Sequence, residues 1–363
     1  MKRAICEVWV DGRDISSVLS PVLISLRVSD KAGTTSDTAT IDLDDRGGHL
    51  ILPPQGARLV IRLGFSDEGV AAVFTGVVDE IRSRGGRGGG RVLTISAKGF
   101  DTRGKAKAPQ QRHFDRKTVR EILEEAGRAA GIDDVRVDEA FAGLIRDYEW
   151  MDDESFIALG ERFAGELGGT FKIAGNRAVL AKRNGGRSPS GADLPTVTAA
   201  WGANLIDWDI APFLGRGRYK RTRARWYDQK EARWKEVLAE VETEEVEADH
   251  TARFSVPGDS EAQQRSQGDA TESARRGGEG TITIDGNIGA QPEGLCVLAG
   301  ARPGIDGTYR IDGVEHQYDR RGFVTTVSVK QPQGEAGKDS RAKKTGEAEE
   351  ADDFALPRHE ALG

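Results

Sequence analysis

The sequence predicts a mainly β protein with a small α/β insert, in which one chain builds two similar β-barrels. Short segments of alternating polar and apolar residues, joined by Gly-rich turns, predict the β class. A stretch of helical periodicity between them predicts the insert. A repeated order of motifs predicts the duplication. Pro54-Gln55-Gly56, Gly76-Val77 and Thr94-Ile95-Ser96-Ala97-Lys98 return as Pro292-Glu293-Gly294, Gly313-Val314 and Thr326-Val327-Ser328-Val329-Lys330.

Residues 1–105 form the first expected barrel. Ala4 to Val10 runs into Asp11-Gly12, a hairpin signal. Asp37 to Asp44 alternates cleanly, so Ala39, Ile41 and Leu43 are expected inward and Thr38, Thr40 and Asp42 outward. Residues 106–190 form the α/β insert. One helix is expected over 116–131, with Asp115 as N-cap and Gly131 at its end; a second runs from about Glu154 to Leu167 and stops at Gly168-Gly169. Thr170 to Ile173 and Ala178 to Ala181 then make a hairpin. Residues 191–333 return to β as the second barrel, with a short, exposed helix over 260–276. Residues 334–363 form a charged, flexible C-terminal tail, because such a composition cannot offset its ordering entropy. Phe354, Leu356 and Pro357 within it are apolar, which makes them a candidate partner-binding anchor tethered by the acidic run before them.

The composition narrows the function classes. Two cysteines, Cys6 and Cys296, exclude a disulfide framework and a multi-cysteine zinc site. Met1-Lys2-Arg3 is followed by Glu7 and a strand pattern, so no signal peptide is expected, and no apolar run has membrane-spanning length. A net charge of -7 argues against duplex-DNA binding. The five histidines lack metal-ligand spacing, and no Gly-x-Ser-x-Gly elbow is present. No catalytic, cofactor-binding or metal site is therefore expected. Gly85 to Gly90 lacks the Lys-Ser/Thr of a phosphate loop and reads as a hairpin tip. Asp152-Asp153-Glu154 could be paired catalytic carboxylates, but its place before a helical pattern reads as helix capping. Arg216 to Trp226 is basic with interleaved aromatics; in an acidic chain it reads as a polar strand face on an assembly surface rather than a nucleic-acid site.

Several of these motifs are similar to those of the phage late control protein D family. Ser29 to Arg46 and Leu52-Pro53-Pro54-Gln55-Gly56-Ala57 resemble its N-terminal signature, and Ala301 to Ile311 with Gly313-Val314-Glu315-His316 resembles its closing segment. The resemblance covers residues 1–333 and not the acidic tail. It implies a hub protein of a contractile tail, related to the hub part of type VI secretion spike proteins. It further implies a homotrimer with two barrels per subunit, giving a pseudo-sixfold ring with a central channel. The ring would join the hexameric tail tube to the trimeric spike beside other baseplate proteins, its interfaces built mainly by β-strands. DNA would pass through without stable nucleic-acid binding, and there would be no membrane anchor. Synthesis and assembly would occur in the bacterial host cytoplasm, with the product at the virion tail tip. A baseplate-associated cell-wall hydrolase and a tail-tip carbohydrate-binding adhesin are the competing readings. The first predicts convergent carboxylates in a cleft, and the second predicts exposed aromatic platforms.

Overall fold

A computed structural model describes residues 2–33, 36–88, 90–184, 186, 193–241, 246–339 and 341. The first half contains β1 (Ala4–Val10), β2 (Arg13–Asp14), the short helix α1 (Ser16–Leu19), β3 (Leu23–Lys31), β4 (Thr38–Asp44), β5 (Arg58–Phe65), β6 (Gly69–Gly86) and β7 (Gly90–Lys98). The insert follows as β8 (Pro109–Thr118), α2 (Val119–Ala129), β9 (Asp134–Val137), α3 (Glu139–Ala142), β10 (Ile145–Ser155), α4 (Phe156–Leu167), β11 (Gly169–Ala174) and β12 (Arg177–Lys182). The second half opens with β13 (Thr196–Ala200) and β14 (Leu205–Ala211). A side unit of β15 (Arg221–Asp228), β16 (Arg233–Glu240), β17 (Asp249–Thr251) and α5 (Asp259–Arg275) interrupts it. The half then closes with β18 (Glu279–Asp285), β19 (Leu295–Ala299), β20 (Gly307–Asp319) and β21 (Gly322–Gln333).

Strands of both halves join in one 13-stranded sheet. Its main path runs β14-β18-β21-β20-β3-β4-β7-β6-β5-β1-β2, and β19 and then β13 branch from β20. The duplication is visible in this order. The first half lays its strands out as β1-β5-β6-β7-β4-β3 and the second as β13-β19-β20-β21-β18-β14, so each strand has a twin at the same place in the chain order. One direction differs: β1 is antiparallel to β5, whereas β13 is parallel to β19.

The registers match as well. β4 meets β7 with Thr40 opposite Ser96 and Ile41 opposite Ile95; β18 meets β21 with Thr281 opposite Ser328 and Ile282 opposite Val327. β3 is bulged at Ile24 and β14 at Ile206. β6 is bulged at Asp79 and β20 at Asp312. A bulge inserts one residue and bends its strand, so twin bulges bend both halves in the same places.

The expected pair of closed barrels is not what the hydrogen bonding forms. Among the described residues neither half closes on itself, because the outer edge of β3 pairs with β20 of the other half rather than with β1. Each half still encloses its own apolar cluster. Val8, Leu26, Ile41, Leu59, Phe74 and Ile95, drawn from six strands, share one; Val197, Ile282, Cys296, Ile311 and Val327 share the other. Ala39, Ile41 and Leu43 are 2%, 1% and 2% exposed, as their alternation requires.

The insert has a separate core centred on Ile122, Phe156, Phe163 and Phe171. Its helix starts differ from expectation. Thr118, not Asp115, caps α2 in a reciprocal box with Glu121, because β8 runs on through Asp115. Ser155 caps α4, and Asp152 to Glu154 lie in β10 instead of a capping run. The paired strands β8 and β10 have no counterpart in the sequence reading; their short polar alternation was hidden by the helical signal beside it. Gly168, at φ 67°, ends α4 as expected. α5 is not an exposed helix: Ala262, Ser266, Gly268, Ala270, Ser273 and Arg275 are buried.

Candidate assembly surface

Alternation, clean in β4, β7, β18 and β21, gives the eight-strand run from β14 to β6 one apolar and one polar face. Thr38, Thr40, Asp42, Thr94, Ser96 and Lys98 stand on the polar face of the first half; Glu279, Thr281, Thr283, Thr326, Ser328 and Lys330 stand at the twin positions. These side chains bond across strands. Thr94 donates to Asp42 at 2.6 Å, Ser25 donates to Asp42 at 3.1 Å, and Thr283 and Thr326 lie 3.1 Å apart. A groove of about 430 Å³ runs over the second half of this face, between Lys31, Asp209, Glu279 and Lys330. The arrangement is a hydroxyl-rich, water-facing wall.

Two ionic nodes fix the added units to this wall, and a third joins the insert to the side unit. Lys172 of β11 donates to Asp30 and, at 2.7 Å, to Asp37, which ties the insert to β3. Burial pushes the Asp30 carboxyl up to about 6, against the pull of Lys172. Arg275 of α5 is 2% exposed and reaches Glu293 at 2.9 Å, Asp312 at 2.8 Å and the Asn184 side chain at 2.9 Å. Burial works against its charge, yet Glu293 and Asp312 more than offset this and raise its pKa. Within the insert Arg146 bonds Glu166 at 3.0 Å, and Arg162 bonds Glu149 at 2.7 Å and Glu154 at 2.8 Å; Glu261 of α5 lies 3.9 Å from Arg146 and brings the side unit to this cluster. Sequence reasoning missed all three nodes. The partners of Lys172 and Arg275 lie far apart in the chain, and a lone charged residue carries no signal of burial.

The sequence-derived candidates fall as follows. Phe354, Leu356 and Pro357 lie outside the described residues. Gly85 and Gly86 do end the β6–β7 hairpin, across which Gly86 pairs with Gly90. From Arg221 on, the basic stretch becomes β15, where Arg221 pairs with Asp249 and Arg225 with Glu236, each at 2.8 Å. Glu154 of the suspected carboxylate pair is held by Arg162. Trp201 is 61% and Trp234 62% exposed; each contacts one aromatic neighbour edge-on, Trp208 and Tyr227 respectively. Both cysteine thiols are pushed up to about 12 by burial, which leaves them unreactive. Among the described residues no group of three or more His, Cys, Asp or Glu could hold a metal ion, and no helix is long and apolar enough to cross a membrane.

Comparison with known proteins adds three observations. The family profile described as phage tail baseplate hub (GPD) matches residues 24–322. A probable baseplate hub protein of Escherichia phage P2 is 28% identical over 226 residues, 61% of this chain and 56% of that protein. The chain thus matches about half the length of this relative. Among solved structures, the 43 kDa tail protein of prophage MuSo2 from Shewanella oneidensis superposes with a TM-score of 0.67 at 15% identity, covering 90% of this chain and 98% of that one. An E. coli component of the type VI secretion system superposes with a TM-score of 0.54 at 13% identity, covering 91% of this chain and 77% of that one.

Proposed function

Because the chain belongs to the phage tail baseplate hub family, we propose that it joins a sixfold tail tube to a threefold spike around a central channel. The apparatus would be a contractile phage tail or a related injection machine. Three copies, each with two equivalent halves, present six similar units to the tube while keeping threefold symmetry below. The observation that carries this reading is the twin strand order with twin bulges at Ile24 and Ile206 and at Asp79 and Asp312. The polar face would line the channel. The hydroxyls of Ser25, Thr94, Thr283 and Thr326 are already engaged with neighbours, and its acids repel phosphates, which suits the passage of DNA without stable binding.

In this reading the working units are 1–105, 106–190, 191–333 and 334–363, with the first and third contributing the ring. The chain acts without catalysis or cofactor, is made in the host cytoplasm and ends at the tail tip. Phe354, Leu356 and Pro357 dock on a neighbouring tail protein; deleting residues 345–363 would then lower particle stability. Removing the whole chain from a tail-producing host tests the central reading. Tails should stop before the tube is laid down, and tubes of normal length and frequency would contradict it.

A further inference from the structure

The two halves of one chain meet at a junction that has an unpaired counterpart. β20 changes partner at its bulge: before Asp312 its outer edge holds β19, and after it the edge holds β3. That second pairing sets Asp319 opposite Ser25, Gln317 opposite Arg27 and Glu315 opposite Ser29. β6 is the twin of β20. Before Asp79 its outer edge holds β5, but from Glu80 to Gly86 no strand pairs with it among the described residues. β14 is the twin of β3, and its outer edge is likewise unpaired. The two open edges stand at opposite ends of the eight-strand run, so they do not meet within a chain.

We propose that the open edge of β14 pairs antiparallel with the open edge of β6 in a second copy of this chain, in the register of the β3–β20 junction. Transferring that register by the twin bulges sets Asp209 opposite Arg84 of the second copy, Trp208 opposite Gly85 and Ile210 opposite Ser83. Three features of the chain fit this register. Opposite charges face one another, where the intrachain junction has Arg27 and Glu315 at 3.3 Å. The bulky Trp208 meets a glycine, which leaves room for the indole to cover a bare backbone. Leu26 and Val28 are 0% and 1% exposed under β20, whereas their twins Trp208 and Ile210 are only half-buried, so an added strand would complete their burial. Pro212 follows at the position of Asp30 and ends the ladder, because it has no N–H to donate. The contact is head-to-tail, with different edges on the two sides, which is the kind of contact a closed ring requires when the rotation between copies closes. The inference rests on the ring reading above and names the surfaces that make it.

The test is an Arg84→Cys, Asp209→Cys double variant of the full chain. Directly opposed residues of an antiparallel pair have Cβ atoms about 4.5–5.5 Å apart, within reach of a disulfide after slight adjustment. Mild oxidation should yield covalent species of up to three chains. Wild type, with Cys6 half-buried and Cys296 buried, and an Arg84→Cys, Asp207→Cys control two residues out of register should not. Separately, Arg84→Asp should weaken self-association about tenfold, and adding Asp209→Arg should restore it. If native mass measurement finds three-copy rings in wild type but neither cross-linking nor charge restoration occurs, this junction is wrong while the ring stands. Chains that stay single even with spike and tube proteins present would overturn both.

Discussion

The Lys98 ammonium lies 3.4 Å from the Asp79 carboxylate, and the same relationship recurs in the second half, where Lys330 lies 3.2 Å from Asp312. Each aspartate is the extra residue of a bulge, and each lysine lies on the adjacent strand, Lys98 at the end of β7 and Lys330 three residues before the end of β21. The lysine answers the carboxylate that the bulge turns onto the polar face. The two sites have since diverged in burial: Asp79 also accepts from Thr102, while Asp312 is 6% exposed and accepts from the buried Arg275.

The divergence predicts unequal mutational costs. Asp79→Ala removes a half-exposed pair and should cost about 0–1 kcal/mol of stability. Asp312→Ala strips one of two carboxylates from the buried Arg275 and should cost about 3 kcal/mol. Chemical denaturation of the two variants measures the difference, and equal costs would show that the Arg275 node does not hold α5.

Glycine contacts set how closely the insert packs on the side unit. A Cβ added at Gly268 in α5 would lie 2.9 Å from the Gly168 nitrogen and 3.0 Å from the Glu166 carbonyl oxygen. Helix propensity alone would make Gly268→Ala stabilising by about 1 kcal/mol. The backbone contact predicts instead a loss of about 1–3 kcal/mol, read as a lower denaturation midpoint. A gain in stability would mean that α4 and α5 are free to separate.

His316 gives the fold an acid-sensitive element. It is 5% exposed, its Nδ1 lies 3.0 Å from the Thr325 hydroxyl, and burial pushes its pKa down to about 4. The unfolded chain binds a proton near pH 6.5 and the folded chain does not, so this stability is present above that value and falls as pH drops towards 4. A shift of this size corresponds to about 3 kcal/mol at the acid end. Asp30, raised to about 6, has the opposite sign, since its folded form takes up a proton first and loses stability as pH rises through that value. Subtracting the pH profile of His316→Gln from that of wild type isolates the histidine. The difference should grow as pH falls from 6.5 to 4, and a flat difference would contradict its burial as a neutral ring.

The sequence reading captured what alternation and strand-end chemistry encode. Thr94-x-Ser96-x-Lys98 and Thr326-x-Ser328-x-Lys330 are true twins, because every second residue faces the same wall and the lysine has the same carboxylate to meet. The other two motif matches slip. Gly56 and Glu293, not Gly56 and Gly294, share the left-handed backbone and donate to the twin carbonyls of Val78 and Ile311. Gly313 occupies the place of Glu80, while the twin of Gly76 is Tyr309. A glycine is chosen by local backbone need, so glycine matches do not fix register, and the bulges that do fix it leave little trace in a single sequence. Pairing of β3 with β20 was hidden for another reason: strands nearly 300 residues apart in the chain carry no local mark of adjacency.

Counting the copies of the chain in an assembled particle tests the ring reading most directly. Imaging intact particles and assigning this chain's density counts them. Three copies, contributing six equivalent β units about the channel, are predicted; one copy or six would contradict the use of the duplication to match a sixfold tube to a threefold spike.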